Sequence, residues 1–276
     1  MPELPEVETV KETLKQLIIG KKIEDITVLW PNIIKRPDDV RAFQTELKGQ
    51  SIKDIKRRGK FLLFYLNKDV LVSHLRMEGK YSLQEEHVTI DKHTHVIFKF
   101  TDQTELRYRD VRKFGTMHLF AKGEEFLYPP LSQLGPEPLG SDFTAEYLTD
   151  RLAKTDRAVK TALLDQTIVV GLGNIYVDEA LFRACIHPLT KARTLNHKQI
   201  DNLTKCIRKT LNEAVEMGGS TIRTYLNSQG QMGMFQQKLN VYGRVGSPCP
   251  NCGHPIEKIK VGGRGTHFCH ACQVMI

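Results

Sequence analysis

No stretch of eighteen apolar residues occurs in this 276-residue chain, so it carries no sequence signal for a membrane-spanning helix. It also lacks an apolar segment behind a basic start, which argues against a secretory leader. Without such a leader, its six cysteines point to a reducing cytoplasm, where metal ligation is a better expectation than disulfides. Acidic residues are scarce in the second half. Residues 1–150 carry 23 basic and 24 acidic side chains, net −1, whereas residues 151–276 carry 17 and 8, net +9. That asymmetry suggests a polyanionic partner for the second half, with a solvated basic surface as the alternative. The length suits about two domains, and a 40% hydrophobic content is enough to bury real cores, which disfavours disorder.

The chain opens with a helical pattern. Pro5 suits a first turn, and Glu3, Glu6 and Glu8 crowd its positive end. Val7, Val10, Leu14 and Leu17–Ile18 form a stripe of period 3.6 that Gly20 stops. Strand patterns follow at Ile23–Leu29, Ser51–Arg57, Phe61–Leu66, Val70–Arg76, His95–Phe100 and Glu105–Arg109. Polar turns between several of them predict antiparallel hairpins, and so a β-sandwich entered through a helix. Tyr128–Ser141 holds four prolines and two glycines, as a hinge would. The clearest later helix begins at Asn196, with Gln199 completing a capping box and Leu203, Ile207, Leu211 and Ala214 on one face. The expected fold class is α+β: an N-terminal helix plus antiparallel β-sandwich, then a helical domain, then a short C-terminal hairpin. The domains are expected at 1–130, a linker at 131–150, 151–238 and 239–276.

In that last segment Cys249-Pro-Asn-Cys252 and Cys269-His-Ala-Cys272 stand sixteen residues apart. Two such knuckles suit four thiolates around one tetrahedral Zn²⁺. Ile256–Lys260 and Thr266–Phe268 would pair across Gly262-Gly263, and the metal would supply folding energy that so short a segment lacks. His254, His267 and His270 read as surface or hairpin residues, and Cys185 and Cys206 as small core residues. Arg244, Lys258, Lys260 and Arg264, with one acid among them, make the hairpin a candidate phosphate-gripping finger.

Gly171-Leu-Gly173-Asn174 begins like a dinucleotide loop, but Tyr176 occupies the third glycine position and no acid follows near residues 191–194. A tight turn between two helices fits better. Asn174 as a cap would leave free N–H groups for a phosphate, or would be an ordinary N-cap.

Met1 precedes Pro2, and an initiator methionine is generally removed before a small residue. Pro2 would then carry a secondary amine. With an α-amino pKa of about 8 and a lysine pKa of about 10.4, roughly 20% of the former is neutral near pH 7.4 against about 0.1% of the latter. Attack of such an amine on a sugar C1′ gives an iminium that stays cationic without a proton.

Met1-Pro-Glu-Leu-Pro-Glu-Val-Glu-Thr9 resembles the N-terminal signature of the bacterial formamidopyrimidine-DNA glycosylases. Gly171–Tyr176 is similar to their helix-two-turn-helix element, and the four-cysteine tail to their zinc finger, in the right order along the whole chain. The resemblance implies a bifunctional glycosylase and AP lyase acting on duplex DNA that contains an oxidised purine or an abasic site. It further implies a monomer, in the cytoplasm, with one structural zinc.

By that resemblance Pro2 is the nucleophile and Glu3, otherwise a helix-start carboxylate, protonates the opening sugar. Lys60, otherwise a solvated turn lysine, assists base loss, and Arg264 grips phosphate. Met77, Arg112 and Phe114 fill the space left by an extruded base; by composition alone Met77 and Phe114 read as core residues, but their alternation with charge in Arg76-Met-Glu78 and Arg112-Lys-Phe114 suggests exposed strand-end loops. His74, His93, Asn174, Tyr242 and Lys258 are implied DNA contacts, His93 being equally the start of a strand. Glu6, Glu78 and Thr224 are implied in the lesion pocket, with Gly218–Gln237 as its lid. Two rival functions are a same-fold enzyme for oxidised pyrimidines, resembling endonuclease VIII, and a zinc-finger DNA-binding protein without catalysis.

Overall fold

In the computed structural model, which describes residues 1–220 and 233–275, the apolar stripe of the first helix decides where the chain starts to pack. Helix α1 (Leu4–Ile18) buries Val7, Val10, Leu14 and Ile18, none more than 2% exposed. Glu3 is its N-cap, and Pro5 lies in its first turn.

The strands β1 (Ile23–Val28), β7 (Thr94–Phe100), β8 (Thr104–Arg109) and β6 (Lys80–Glu85) form one antiparallel sheet in the order β1-β7-β8-β6. A second sheet runs β2-β9-β5-β4-β3, from β2 (Ile34–Arg36), β9 (Thr116–Ala121), β5 (Asp69–His74), β4 (Phe61–Tyr65) and β3 (Asp54–Arg58). It is antiparallel except at its edge, where β2 runs parallel to β9. Ile26, Phe98, Leu106 and Tyr108 from the first sheet meet Ile55, Phe64, Leu71 and Leu119 from the second in one core that α1 joins. This is the expected sandwich.

Several elements carry too little periodicity to be read in advance. Strand β6 (KYSLQE) is a polar edge strand that pairs with β8 alone, and β2 is only three residues long. Helix α2 (Val40–Leu47) buries just Phe43 and Leu47.

The chain divides into two compact units, Met1–Gln133 with Ser220–Gly233, and Leu134–Gly219 with Met234–Ile276. The expected hinge over 131–150 is ordered at its far end, where α3 (Ala145–Leu152) is capped by the Thr144 hydroxyl. The second unit continues with α4 (Val159–Leu163), α5 (Asn174–Arg183) and α6 (His197–Glu216). The capping box of α6 forms as expected: Gln199 N–H donates to Asn196 Oδ1 at 3.0 Å and Asn196 N–H to Gln199 Oε1 at 2.9 Å.

A hairpin of β10 (Glu257–Val261) and β11 (Arg264–Phe268) ends the unit. It packs through Ile256 and Cys269 against Phe182 of α5 and Val241. Among the described residues no helix is long and apolar enough to cross a membrane.

Candidate active site and nucleic-acid interface

The start of α1 gathers the groups expected to act chemically in the first unit. Glu3 closes a reciprocal capping box: its carboxylate accepts from the Glu6 backbone, and Glu6 Oε2 accepts from Glu3 N–H at 2.8 Å. The other oxygen of Glu6 takes two hydrogen bonds from Ser220, from N–H at 2.7 Å and from the hydroxyl at 3.1 Å. One buried carboxylate therefore ties the amino terminus to the residue that enters segment 221–232. Thr224 lies in that segment, outside the described residues.

Pro2 and Glu3 are buried. Lys60 sits in the turn between β3 and β4 and is only 5% exposed, so it is not the solvated turn lysine that its local sequence suggests. Arg57 fixes this turn: its Nε donates to Glu8 of α1 at 2.7 Å and its Nη1 to the Gly59 carbonyl at 3.0 Å. Burial lowers the pKa of the Met1 terminal amine below its ordinary value, with Lys60 acting in the same sense and Glu3, Glu6 and Glu78 opposing. Those four charges thus converge on the chain start. With Met1 in place the Pro2 nitrogen is an amide and has no free lone pair.

The residues expected to replace an extruded base sit on two loops. Met77 is 36% exposed in the turn Leu75–Gly79, and Phe114 is 51% exposed on the loop between β8 and β9. Neither is a core residue. Arg112, also exposed, stacks its guanidinium on Phe114 at 4.8 Å from the ring centre. Glu78 is exposed beside Met77.

His74 is buried and edge-on to Phe61, and its Nδ1 accepts Arg76 N–H at 2.8 Å. Desolvation, with Arg76 and Lys60 nearby, pulls its pKa down to about 3, so the ring is neutral at pH 7. His93 is half-buried, with its N–H on Asp91 at 2.7 Å, just before β7.

In the second unit the cap of α5 is Gly173, not Asn174. Asn174 lies one position inside the helix, and its side chain turns to the hairpin instead: its Nδ2 donates to the Gly265 carbonyl at 2.8 Å. Gly171, at φ +85°, makes the tight turn before α5, in a backbone region that disfavours residues with a β-carbon.

Asn174 thus reaches the hairpin loop next to exposed Arg264 and Lys258. A β-carbon on Gly265 would lie 3.1 Å from Lys258 Cε, so the lysine stem passes directly over this glycine. Beneath them, fully buried Lys160 donates to Asp178 at 2.6 Å and to the Gly265 carbonyl at 3.2 Å. Asp178 also accepts His267 N–H at 2.8 Å. Buried Glu179 takes the N–H groups of Asn240, Val241 and Tyr242 at 2.9–3.0 Å. Tyr242 in turn packs edge-on to His267. Sequence reasoning missed Arg57, Lys160, Asp178, Glu179 and Ser220, because their partners lie far away in the chain.

The four cysteine sulfurs lie within 4.8 Å of one another, with Cys249–Cys272 at 3.8 Å and Cys252–Cys269 at 3.5 Å. A disulfide would need about 2.0 Å. A tetrahedron with Zn–S bonds of about 2.3 Å has edges of about 3.8 Å, which these distances match. Burial and the neighbouring thiols push Cys269 and Cys272 upward in pKa, a crowding that a bound cation would relieve. The donor set therefore fits one structural zinc held by Cys249, Cys252, Cys269 and Cys272. Four sulfurs close the coordination sphere, so the ion would stiffen the hairpin and leave no open position for catalysis.

Residues 1–117 match the formamidopyrimidine-DNA glycosylase N-terminal domain, 134–226 its H2TH domain, and 246–274 a zinc finger found in FPG and IleRS. A protein of Bacillus licheniformis called formamidopyrimidine-DNA glycosylase is 65% identical over 273 residues, covering 99% of each chain. The Lactococcus lactis Fpg in complex with DNA containing N7-benzyl-Fapy-dG superposes with a TM-score of 0.92 at 43% identity, over 99% of this chain and 100% of that one. Its complex with DNA containing an abasic site gives 0.92 at 44%, over 99% of both chains.

Proposed function

The chain belongs to the formamidopyrimidine-DNA glycosylase family, and from that premise and the geometry around its amino terminus we propose that it excises oxidised purines, such as 8-oxoguanine and formamidopyrimidines, from duplex DNA and then cuts the strand. The observation that carries the chemical assignment is geometric: Pro2 and Glu3 are buried at the start of α1, and Lys60, only 5% exposed in the β3–β4 turn, is among the charges that act on the chain start.

In this reading Met1 is removed and the Pro2 nitrogen attacks C1′ of an extruded nucleotide. The bond from C1′ to the base breaks, and its electron pair leaves with the base, which takes up a proton. Glu3 protonates the ring oxygen as the C1′–O4′ bond opens, leaving an iminium between Pro2 and C1′. Loss of a C2′ proton expels the 3′ phosphate, and a second elimination expels the 5′ phosphate. Lys60 assists base loss and the first elimination. Arg264, with Lys258 and Asn174, grips backbone phosphate, which agrees with the net +9 of residues 151–276. Met77, Arg112 and Phe114 fill the gap in the stack, and their exposure supports that role. Glu6 and Glu78 border the extruded base, and His74, His93 and Tyr242 support the DNA-facing surface. The enzyme acts as a cytoplasmic monomer.

Borohydride reduction tests this chemistry. Mature chain mixed with duplex containing 8-oxoguanine or an abasic site gives a covalent adduct whose peptide mass places the sugar on the Pro2 nitrogen. Chain that retains Met1 gives none. An adduct mapped to another residue, or none from the mature chain, overturns the mechanism.

A further inference from the structure

The two loops proposed to enter the duplex are far apart in sequence, yet buried groups of one strand end support both. Asp110, directly after β8, is 0% exposed. Its Oδ1 accepts Arg112 N–H at 3.0 Å, and its Oδ2 accepts Phe114 N–H and Gly115 N–H, each at 2.9 Å. The loop thus wraps around a single carboxylate, with Lys113 turned into the left-handed region at φ +58° to close it.

Asp110 is itself pinned. Its N–H donates to the His93 carbonyl at 3.0 Å, and its carbonyl lies 2.7 Å from Nε2 of buried His95. A carbonyl can only accept, so His95 carries its proton on Nε2.

Two residues earlier, fully buried Tyr108 lies under both loops. A β-carbon on Gly115 would come within 1.8 Å of the Tyr108 hydroxyl, and one on Gly79 within 2.2 Å. Gly79 closes the turn that carries Met77, by its N–H to the Leu75 carbonyl at 2.9 Å. Neither glycine has a positive φ, so close approach to Tyr108 is what excludes a side chain at Gly115; at Gly79 the Leu75 carbonyl adds to it.

We propose that Asp110 and Tyr108 form a buried base that makes the Met77 turn and the Arg112–Phe114 loop one rigid reading head, with Asp110 as its positioning residue. This rests on the proposed function, since it assigns those tips to the gap left by an extruded base. A carboxylate is required because three N–H groups converge on it. In Asp110→Asn one oxygen becomes an NH₂, which faces at least one of those donors whichever way the amide turns. The wedge residues stay present but lose their fixed spacing.

The test uses the full zinc-loaded chain, with duplexes carrying 8-oxoguanine or a preformed abasic site and 2-aminopurine beside the lesion. Asp110→Asn lowers excision of 8-oxoguanine by about tenfold or more, as misplacement of a positioning group does. It also diminishes the 2-aminopurine rise that reports unstacking. Cleavage at the preformed abasic site, where no base has to be unstacked, falls much less. Phe114→Ala costs less in the Asp110→Asn background than in wild type, because the two act as one unit.

Gly115→Ala presses first on Tyr108, whose side chain supplies the three nearest atoms, and gives the same split between substrates, so the proposal stays testable if Asp110→Asn fails to fold. Equal losses on both substrates, an unchanged 2-aminopurine amplitude or strict additivity with Phe114→Ala overturns it. A wild-type chain inactive on both duplexes counts against the proposed function instead, and the 2-aminopurine amplitudes of the two variants then decide for or against the reading head.

Discussion

The turn that carries Lys60 and the hairpin that carries Arg264 both hold a cation at the tip of a two-stranded connection, but by different means. The first lies on a sandwich with a large apolar core, and Arg57, bonded to Glu8 and Gly59, helps to set its shape. The second has a core of a few residues around Phe182 and Ile256, and depends on four sulfurs together with the buried Lys160–Asp178 pair. Where apolar area is plentiful, the packed sheet carries the turn and polar contacts only trim its margin. Where it is scarce, charge and metal take over the work of ordering the chain.

Removing the metal should break this comparison most sharply. Structural zinc contributes on the order of 10–16 kcal/mol of binding free energy in small fingers. Chelation, or Cys249→Ser, should therefore unfold the hairpin and leave the sandwich intact. The expected result is DNA affinity reduced at least a hundredfold, with hydrogen exchange unchanged in β4 and β5. Unchanged affinity after verified zinc loss would remove the finger's role.

Lys160→Met comes next. It leaves Asp178 buried without its cation and should cost about 3–5 kcal/mol. Urea unfolding of zinc-loaded protein measures this, and a loss below about 1 kcal/mol would mean that the metal alone orders the hairpin.

The smallest effect belongs to the sandwich. His74 is held neutral with its pKa at about 3, whereas in the unfolded chain it takes a proton below about 6.5. The unfolded state therefore binds more protons between those values, and stability falls as pH drops through that window. From pH 6.5 to 5 the loss is about 2 kcal/mol for this residue. His74→Gln should flatten that slope in urea titrations. His118, lowered to about 4 mainly by burial, adds a weaker trend in the same sense.

The parts legible in the sequence are those that depend on short spacings. The stripe of α1, the Asn196–Gln199 box, the main hairpins and the four cysteines each lie within a few residues of their partners or follow a fixed period. Candidate functional residues were recognisable by motif and by resemblance, but their surroundings were not. Lys60 reads locally as a solvated lysine and is buried. Asn174 reads as a cap and instead donates to Gly265, ninety-one residues away. Met77 and Phe114 read as core by composition alone but as exposed loop tips by their charged neighbours, and they are exposed.

The sequence by itself determined the strongly periodic helices and strands, the metal ligands and the excess of positive charge in the second half, because periodicity, cysteine spacing and charge counts are properties of neighbouring residues. Only the tertiary structure decided which carboxylates anchor loops. Glu6 meets Ser220, Asp178 meets Lys160 and His267, and Glu179 meets Asn240 to Tyr242, all across long stretches of chain. A buried carboxylate must find donors wherever the packed chain brings them, and no local pattern records where that will be.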